Sequence, residues 1–285
     1  MEFENIFGNC VLFHPGIGKT GTSAIQSLGL QLPIDDPKKS CFSPFGVFGG
    51  AHNVFAANHP NFKVDKFKQA RFELLHFCLN RDAATVVSSE FLIRLTIPQI
   101  KEMIEPFLEQ GVKVKAVFSI RDYESYLASS YMQAVKVNWG KKEGENLGQF
   151  CQREIEHIRY TQLIDRWAQI IGDENIYLLD YDKYRKDFVS LFFNSLGINT
   201  EKDKLSAVRG INTSIPLIAS GLMEEFDKVS DDINARQNLI ELIKTMTFSS
   251  NDLNNKKIIK DIVKNKFIHD KERLTQRYNW VNSHV

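Results

Sequence analysis

Ten consecutive residues, His14 to Ser23 (HPGIGKTGTS), combine Gly16, Gly18 and Gly21 with Lys19 and the hydroxyls of Thr20, Thr22 and Ser23. Such a set suits an anion. Glycines let backbone N–H groups converge on an oxyanion. A helix opening at Thr22 would aim its unpaired N–H groups and positive dipole end at the same point, and Lys19 adds a full charge. Further along, Arg121 follows an apolar run in SIRDYESYLASSYMQ. A guanidinium can donate two parallel hydrogen bonds to a phosphate. Helical spacing puts Ser129 about 200° from Leu127, away from the apolar stripe of Tyr126, Leu127, Tyr131 and Ala134. Proton acceptors stand elsewhere. Glu90 follows the apolar run ATVVSS, and His52 and His59 lie in the glycine- and aromatic-rich stretch 43–61. A carboxyl crowded by Phe91 would have a raised pKa, which suits a general base; the plainer role for Glu90 is to face a helix dipole.

The elements that must hold these residues read as strands alternating with helices, the pattern of a parallel sheet wrapped on both sides. Strands are expected at Cys10–Phe13, Ala84–Ser88, Val112–Ile120 and Ile176–Leu179. The loop then falls at a strand-to-helix turn. Thr96 and Gln99 form a capping box, with Pro98 in the first turn of a helix that stops near Gly111. Asp122 is a suitable N-cap for a helix over Tyr123–Lys136, and one long helix is expected over Leu147–Ile171. From Lys186 onward the pattern is mostly helical, with basic residues between Lys256 and Lys271 that read as a solvated face. The stretch Gln133–Gln149, containing Trp139, reads as an exposed loop or as a flap over a substrate. The expectation is a single domain over 1–285, α/β in class, with a helical C-terminal part.

Composition limits the functions available. The 285 residues carry a net charge of +1, so no overall field draws the chain to nucleic acid or an anionic membrane. No apolar run approaches the roughly 18 residues of a membrane helix, and the first residues lack the basic region of a signal peptide. Cys10, Cys41, Cys78 and Cys151 show no CxxC or Cys/His spacing for a metal and read as thiols of a reducing compartment. A cytoplasmic protein without a metal is expected.

The loop is not a nucleotide triphosphatase P-loop. GxxxxGK[ST] needs a glycine five positions before Gly18, where Phe13 stands. The pattern it does carry is H-x-G-x-x-K-T-G-[ST]-[ST], with Gln26 one helical turn on. In this it resembles the 5′-phosphosulfate loop of sulfotransferases that use 3′-phosphoadenosine-5′-phosphosulfate (PAPS), particularly soluble bacterial, carbohydrate-type members.

The resemblance implies a P-loop-like three-layer fold with a central parallel sheet flanked by helices. It implies contacts to PAPS from His14, Gly16, Gly18, Lys19, Thr20, Gly21, Thr22 and Ser23, with Lys19 stabilising charge on the departing phosphate. Arg121 and Ser129 match the family's clamp on the 3′-phosphate, although Tyr123 replaces the common proline. Arg209 and Gly210 in VRGINTS match a late contact to the same group, or belong to a plain loop. Glu90 falls where the family often places its base, with His52 and His59 as rivals. The implied acceptor is a small molecule or saccharide, with a hydroxyl more suited than an amine. Two other readings stay open: a kinase or NTPase using ATP and magnesium, with Leu178–Asp182 as its metal-holding strand, and a non-catalytic nucleotide- or glycan-binding module.

Overall fold

A computed structural model describes residues 4–137, 144–199, 217–246, 253–264, 267 and 269–281. These residues gather into two compact units interleaved along the chain. The first comprises Met1–Arg121, Tyr160–Arg209 and Glu272–Val285, and the second Asp122–Arg159 and Gly210–Lys271.

The first unit is built on one six-stranded sheet, all of whose pairings are parallel. Its strands are β1 (Val11–Pro15), β2 (Cys41–Phe42), β3 (Thr85–Ser89), β4 (Val114–Ile120), β5 (Ile176–Asp180) and β6 (Asn279–Trp280), in spatial order β2-β3-β1-β4-β5-β6. Every residue of β1 and β3 is buried, as expected of strands covered on both faces. Leu12, Val86, Val117 and Leu179 face α1 (Thr22–Gly29) and Phe188–Ser195, in a core with Ile25, Leu28, Phe192 and Phe193. On the other face, Phe13 packs against Phe107 of the helix Ile97–Glu109 and against Trp167 of the helix Tyr160–Ile171, which also meets Phe118.

The expected parallel sheet between helices is therefore present. The backbone N–H of Thr96 donates to Gln99 Oε1 at 2.9 Å, and Gly111, just past that helix, takes φ 72°, the left-handed conformation of a helix stop.

Three local expectations are corrected. A helix spans Val64–Leu79 where no pattern was assigned. It lacks a side-chain cap, but Phe67, Ala70, Leu74 and Cys78 are buried at helical spacing. The two-residue strands β2 and β6 at the sheet edges carry no sequence signal, because so short a run has no period. The long helix over Leu147–Ile171 is two helices, Leu147–Ile155 and Tyr160–Ile171. The buried stripe of the first ends at Ile155 and that of the second starts at Tyr160, a jump of five residues and about 140°. One straight helix cannot point both stripes at a core.

In the second unit, the helix Tyr123–Val137 is capped by Asp122, whose Oδ2 accepts from the Ser125 N–H at 3.0 Å. The expected stripe of Tyr126, Leu127, Tyr131 and Ala134 is buried. Arg236 donates to the Val135 and Lys136 carbonyls of this helix while pairing with Asp227 at 2.7 Å. The Tyr131 hydroxyl donates to Glu224. Among the described residues, no helix is long and apolar enough to cross a membrane. All four cysteines are buried and unbridged, and burial pushes the Cys10 thiol up to about 12.

Candidate functional site

The sheet order itself points to a site. From β1 the chain runs to β2 and β3 on one side, and from β4 to β5 on the other. Where connections diverge, a crevice opens at the carboxyl ends of the two strands. The carboxyl end of β1 carries the glycine loop, and that of β4 carries Arg121.

The loop is tightly built. The Gly16 N–H donates to the Ser89 carbonyl at 3.1 Å. A Cβ on Gly16 would lie 2.6 Å from Thr22 Cγ2 and 3.2 Å from Glu90 Cγ, so only glycine lets the loop fold this closely against both. Lys19 takes φ 68°, and no other non-glycine among the described residues has a positive φ. Such a backbone costs on the order of 1–3 kcal/mol. Gly21 follows at φ 75° as the N-cap of α1, whose first N–H groups have no partner within the helix.

The hydroxyls divide. Thr20 and Thr22 are buried, and Thr20 Oγ1 donates to the Ile17 carbonyl at 2.5 Å, bracing the turn from inside. Ser23 is exposed at the start of α1.

His14 lies beneath the loop, wholly buried. Its Nδ1 is 2.9 Å from Ser88 Oγ and its Nε2 is 3.1 Å from Ser119 Oγ; Gln26 Nε2 donates to Ser88 Oγ at 3.2 Å. Burial lowers its pKa to about 3, so the ring is neutral. It ties β1 to β3 and β4 from below, with both ring nitrogens engaged. The serines and Gln26 that complete the tie had no sequence signal beyond the position of Gln26 one turn after the loop.

Arg121 is nearly buried. Its Nη1 donates to the Lys19 carbonyl at 2.8 Å, its Nε is 3.7 Å from Asp182 Oδ1, and its guanidinium lies over the Tyr181 ring. Nε has no hydrogen-bond partner although it is buried, a polar atom whose desolvation calls for an acceptor. Asp182 stands beside this cation. Ser129 is half-buried on the helix Tyr123–Val137 in the second unit. Arg209, Gly210 and Trp139 lie outside the described residues.

The proton-acceptor candidates are placed very differently. Glu90 starts a short 3-10 turn after β3, and its side chain reaches back over the loop, with Oε2 3.9 Å from where a Gly18 Cβ would sit. The residue has exposed surface, yet surrounding atoms crowd its carboxyl. Desolvation raises its pKa above the ordinary carboxylate value, and the positive charge of Lys19 acts in the opposite direction.

His52 is fully buried between strands. Its Nδ1 accepts from the Ser88 N–H at 3.0 Å, and its Nε2–H donates to the Ser43 carbonyl at 2.9 Å. Burial lowers its pKa. With both ring nitrogens engaged, it tethers the β2 end to β3. His52→Ala, which leaves both backbone groups unpaired, is expected to lower folding stability by about 2–5 kcal/mol in urea unfolding. A change within about 0.5 kcal/mol would refute the tether.

His59 is half-buried, its Nδ1 accepting from the Asn61 N–H at 3.0 Å and its ring 4.6 Å from that of Phe91. Among the described residues no group of three or more His, Cys, Asp or Glu side chains is placed to hold a metal ion.

No protein-family model and no curated protein sequence matches the chain. Among solved structures it is similar to a sulfotransferase from Alicyclobacillus acidocaldarius, with TM-score 0.44 and 13% identity, covering 80% of this chain and 98% of the other. It is also similar to a retinol dehydratase in complex with androsterone and the inactive cofactor PAP, with TM-score 0.36 and 17% identity, covering 89% of this chain and 80% of the other.

Proposed function

We propose that the chain is a PAPS-dependent sulfotransferase acting on an acceptor hydroxyl, with a saccharide or glycolipid as the favoured acceptor class. One observation carries the reading: Lys19 is held at φ 68° in a glycine loop whose carbonyl Arg121 grips, while the Glu90 carboxyl reaches over the same loop. A donor phosphate on the loop and the start of α1 would meet the lysine. Sulfuryl transfer expels adenosine 3′,5′-bisphosphate, so negative charge grows on the bridging oxygen, where an ammonium stabilises the transition state more than the ground state. A base beside the loop takes the proton of the attacking hydroxyl. Glu90 has both the position and the raised pKa for that part.

The 3′-phosphate distinguishes this donor from ATP, and Arg121 is assigned to it. Wild type is expected to bind adenosine 3′,5′-bisphosphate more tightly than 5′-AMP in calorimetry, and more tightly than ATP with magnesium. Arg121→Ala is expected to weaken the bisphosphate at least about tenfold and to erase its advantage over 5′-AMP. If Arg121 only braces the loop, both nucleotides weaken together and the preference persists. Tight ATP–magnesium binding without bisphosphate binding would favour the kinase reading. Bisphosphate binding without labelled-sulfate transfer to any acceptor would favour the non-catalytic module.

A further inference from the structure

The segment between β2 and the helix Val64–Leu79 does more than connect. Phe48 and Ala51 exchange backbone hydrogen bonds, Phe48 N–H to Ala51 O at 2.8 Å and Ala51 N–H to Phe48 O at 3.4 Å, around Gly49 and Gly50. Both glycines have positive φ, 62° and 77°, which is the geometry of a two-residue hairpin turn.

That turn is anchored to the end of β3. Ser89 Oγ donates to Asn53 Oδ1 at 2.6 Å, and Asn53 Nδ2 donates to the Phe48 carbonyl at 2.9 Å. Ser89 and Asn53 are both buried, and Ser89 directly precedes Glu90. The fold thus spends a buried polar relay on fixing one hairpin relative to the carboxylate.

The hairpin presents apolar surface. Val47 is 40% and Phe48 47% exposed. The Phe48 ring meets His59 edge-on at 5.6 Å, and His59 meets Phe91 edge-on at 4.6 Å. Phe91 adjoins Glu90 in sequence, and its N–H donates to Ser89 Oγ at 3.2 Å. An aromatic row therefore runs from exposed Phe48 to Phe91, the chain neighbour of the residue assigned to take the acceptor proton. Val47 and Phe48 leave the outer end of this row exposed, and the Ser89–Asn53 relay fixes it beside the residue that precedes Glu90. That continuity with the Glu90 site argues for an acceptor as its occupant.

We propose that Phe48, His59 and Phe91 form the acceptor wall of the site, selecting an alcohol whose hydroxyl is carried on a ring with an apolar face. Pyranosides and aromatic alcohols share that chemistry, and open-chain alcohols lack it. His59 then contributes its ring face and positions the acceptor. The inference rests on the sulfuryl-transfer reading for what happens to the bound alcohol, but not for the wall itself.

The test is a binding comparison on the full chain with 2-naphthol, methyl β-D-glucopyranoside and 1,6-hexanediol, by calorimetry, beside a titration with adenosine 3′,5′-bisphosphate. Wild type is expected to bind at least one ring alcohol about tenfold more tightly than the diol. Whichever ring binds better names the acceptor class. Phe48→Ala, at an exposed position, is expected to fold, to lose most of that preference, and to bind bisphosphate within about twofold of wild type; Phe48→Trp should restore the preference. Equal binding of ring and open-chain alcohols by wild type, or an unchanged preference in Phe48→Ala, would overturn the wall. If the ring preference stands while bisphosphate fails to bind, the wall survives and the sulfuryl-transfer reading falls.

Discussion

Lys19→Met should lower the turnover number by at least about a thousandfold in a labelled-sulfate assay, and leave a folded protein. The expected loss is in kcat more than in donor affinity, because the ammonium is assigned to charge that grows only as the sulfuryl group departs. The backbone adds a second arm. At φ 68° the native lysine holds a conformation that glycine adopts without steric cost. Lys19→Gly should therefore be as inactive as Lys19→Met, yet no less stable to heat. A residue whose replacement leaves stability intact while removing activity is held in strain for function. Near-wild-type turnover in Lys19→Met would remove Lys19 from the reaction, and charge on the departing phosphate would then have to be met by the loop backbone.

For Glu90→Gln the expected result is a fall in kcat of about 10² to 10⁴ at saturating donor, with bisphosphate affinity nearly unchanged. Glutamine keeps the shape over Gly16 and Gly18 but cannot accept the proton. The pH profile tests the same assignment independently. A base must be deprotonated to act, so wild-type activity should rise with pH as Glu90 ionises and level off above that. Burial moves this limb above the ordinary carboxylate range, while Lys19 restrains the shift. The residual activity of Glu90→Gln should lack the limb. His59→Ala should keep it and raise the acceptor KM. Should the limb persist in Glu90→Gln and vanish in His59→Ala, His59 is the base and the wall reading of its ring fails with it.

These two variants separate the two charges that the fold brings together. Glu90 and Lys19 are 71 positions apart in the chain, and they share a site because β1 and β3 pair in parallel with His14 opposite Ser88 and Pro15 opposite Ser89. The carboxyl ends of both strands then emerge together, and the residues just past them face the same space.

Much of this is legible in the sequence. The glycine loop after a strand, the arginine at the end of β4, the capping box at Thr96 and the stripe of the helix after Asp122 are all local. Each is set by the conformational range of glycine, by helical period or by capping chemistry within a few residues. The helix Val64–Leu79 left a weaker trace in its apolar spacing. The phase break after Ile155 left almost none, because no glycine or proline marks it.

What the tertiary structure alone decided is which polar side chains are consumed in holding the site together. His14 and His52 read as possible ligand and base, yet both are buried with their ring nitrogens engaged. His59 joins an aromatic row, while Glu90, alone among these candidates, reaches over the loop. In sequence a histidine's residue type states what it can donate or accept. Whether that capacity remains for a substrate depends on strand neighbours tens of positions away, and a buried polar group must take those partners because the water it left behind is gone.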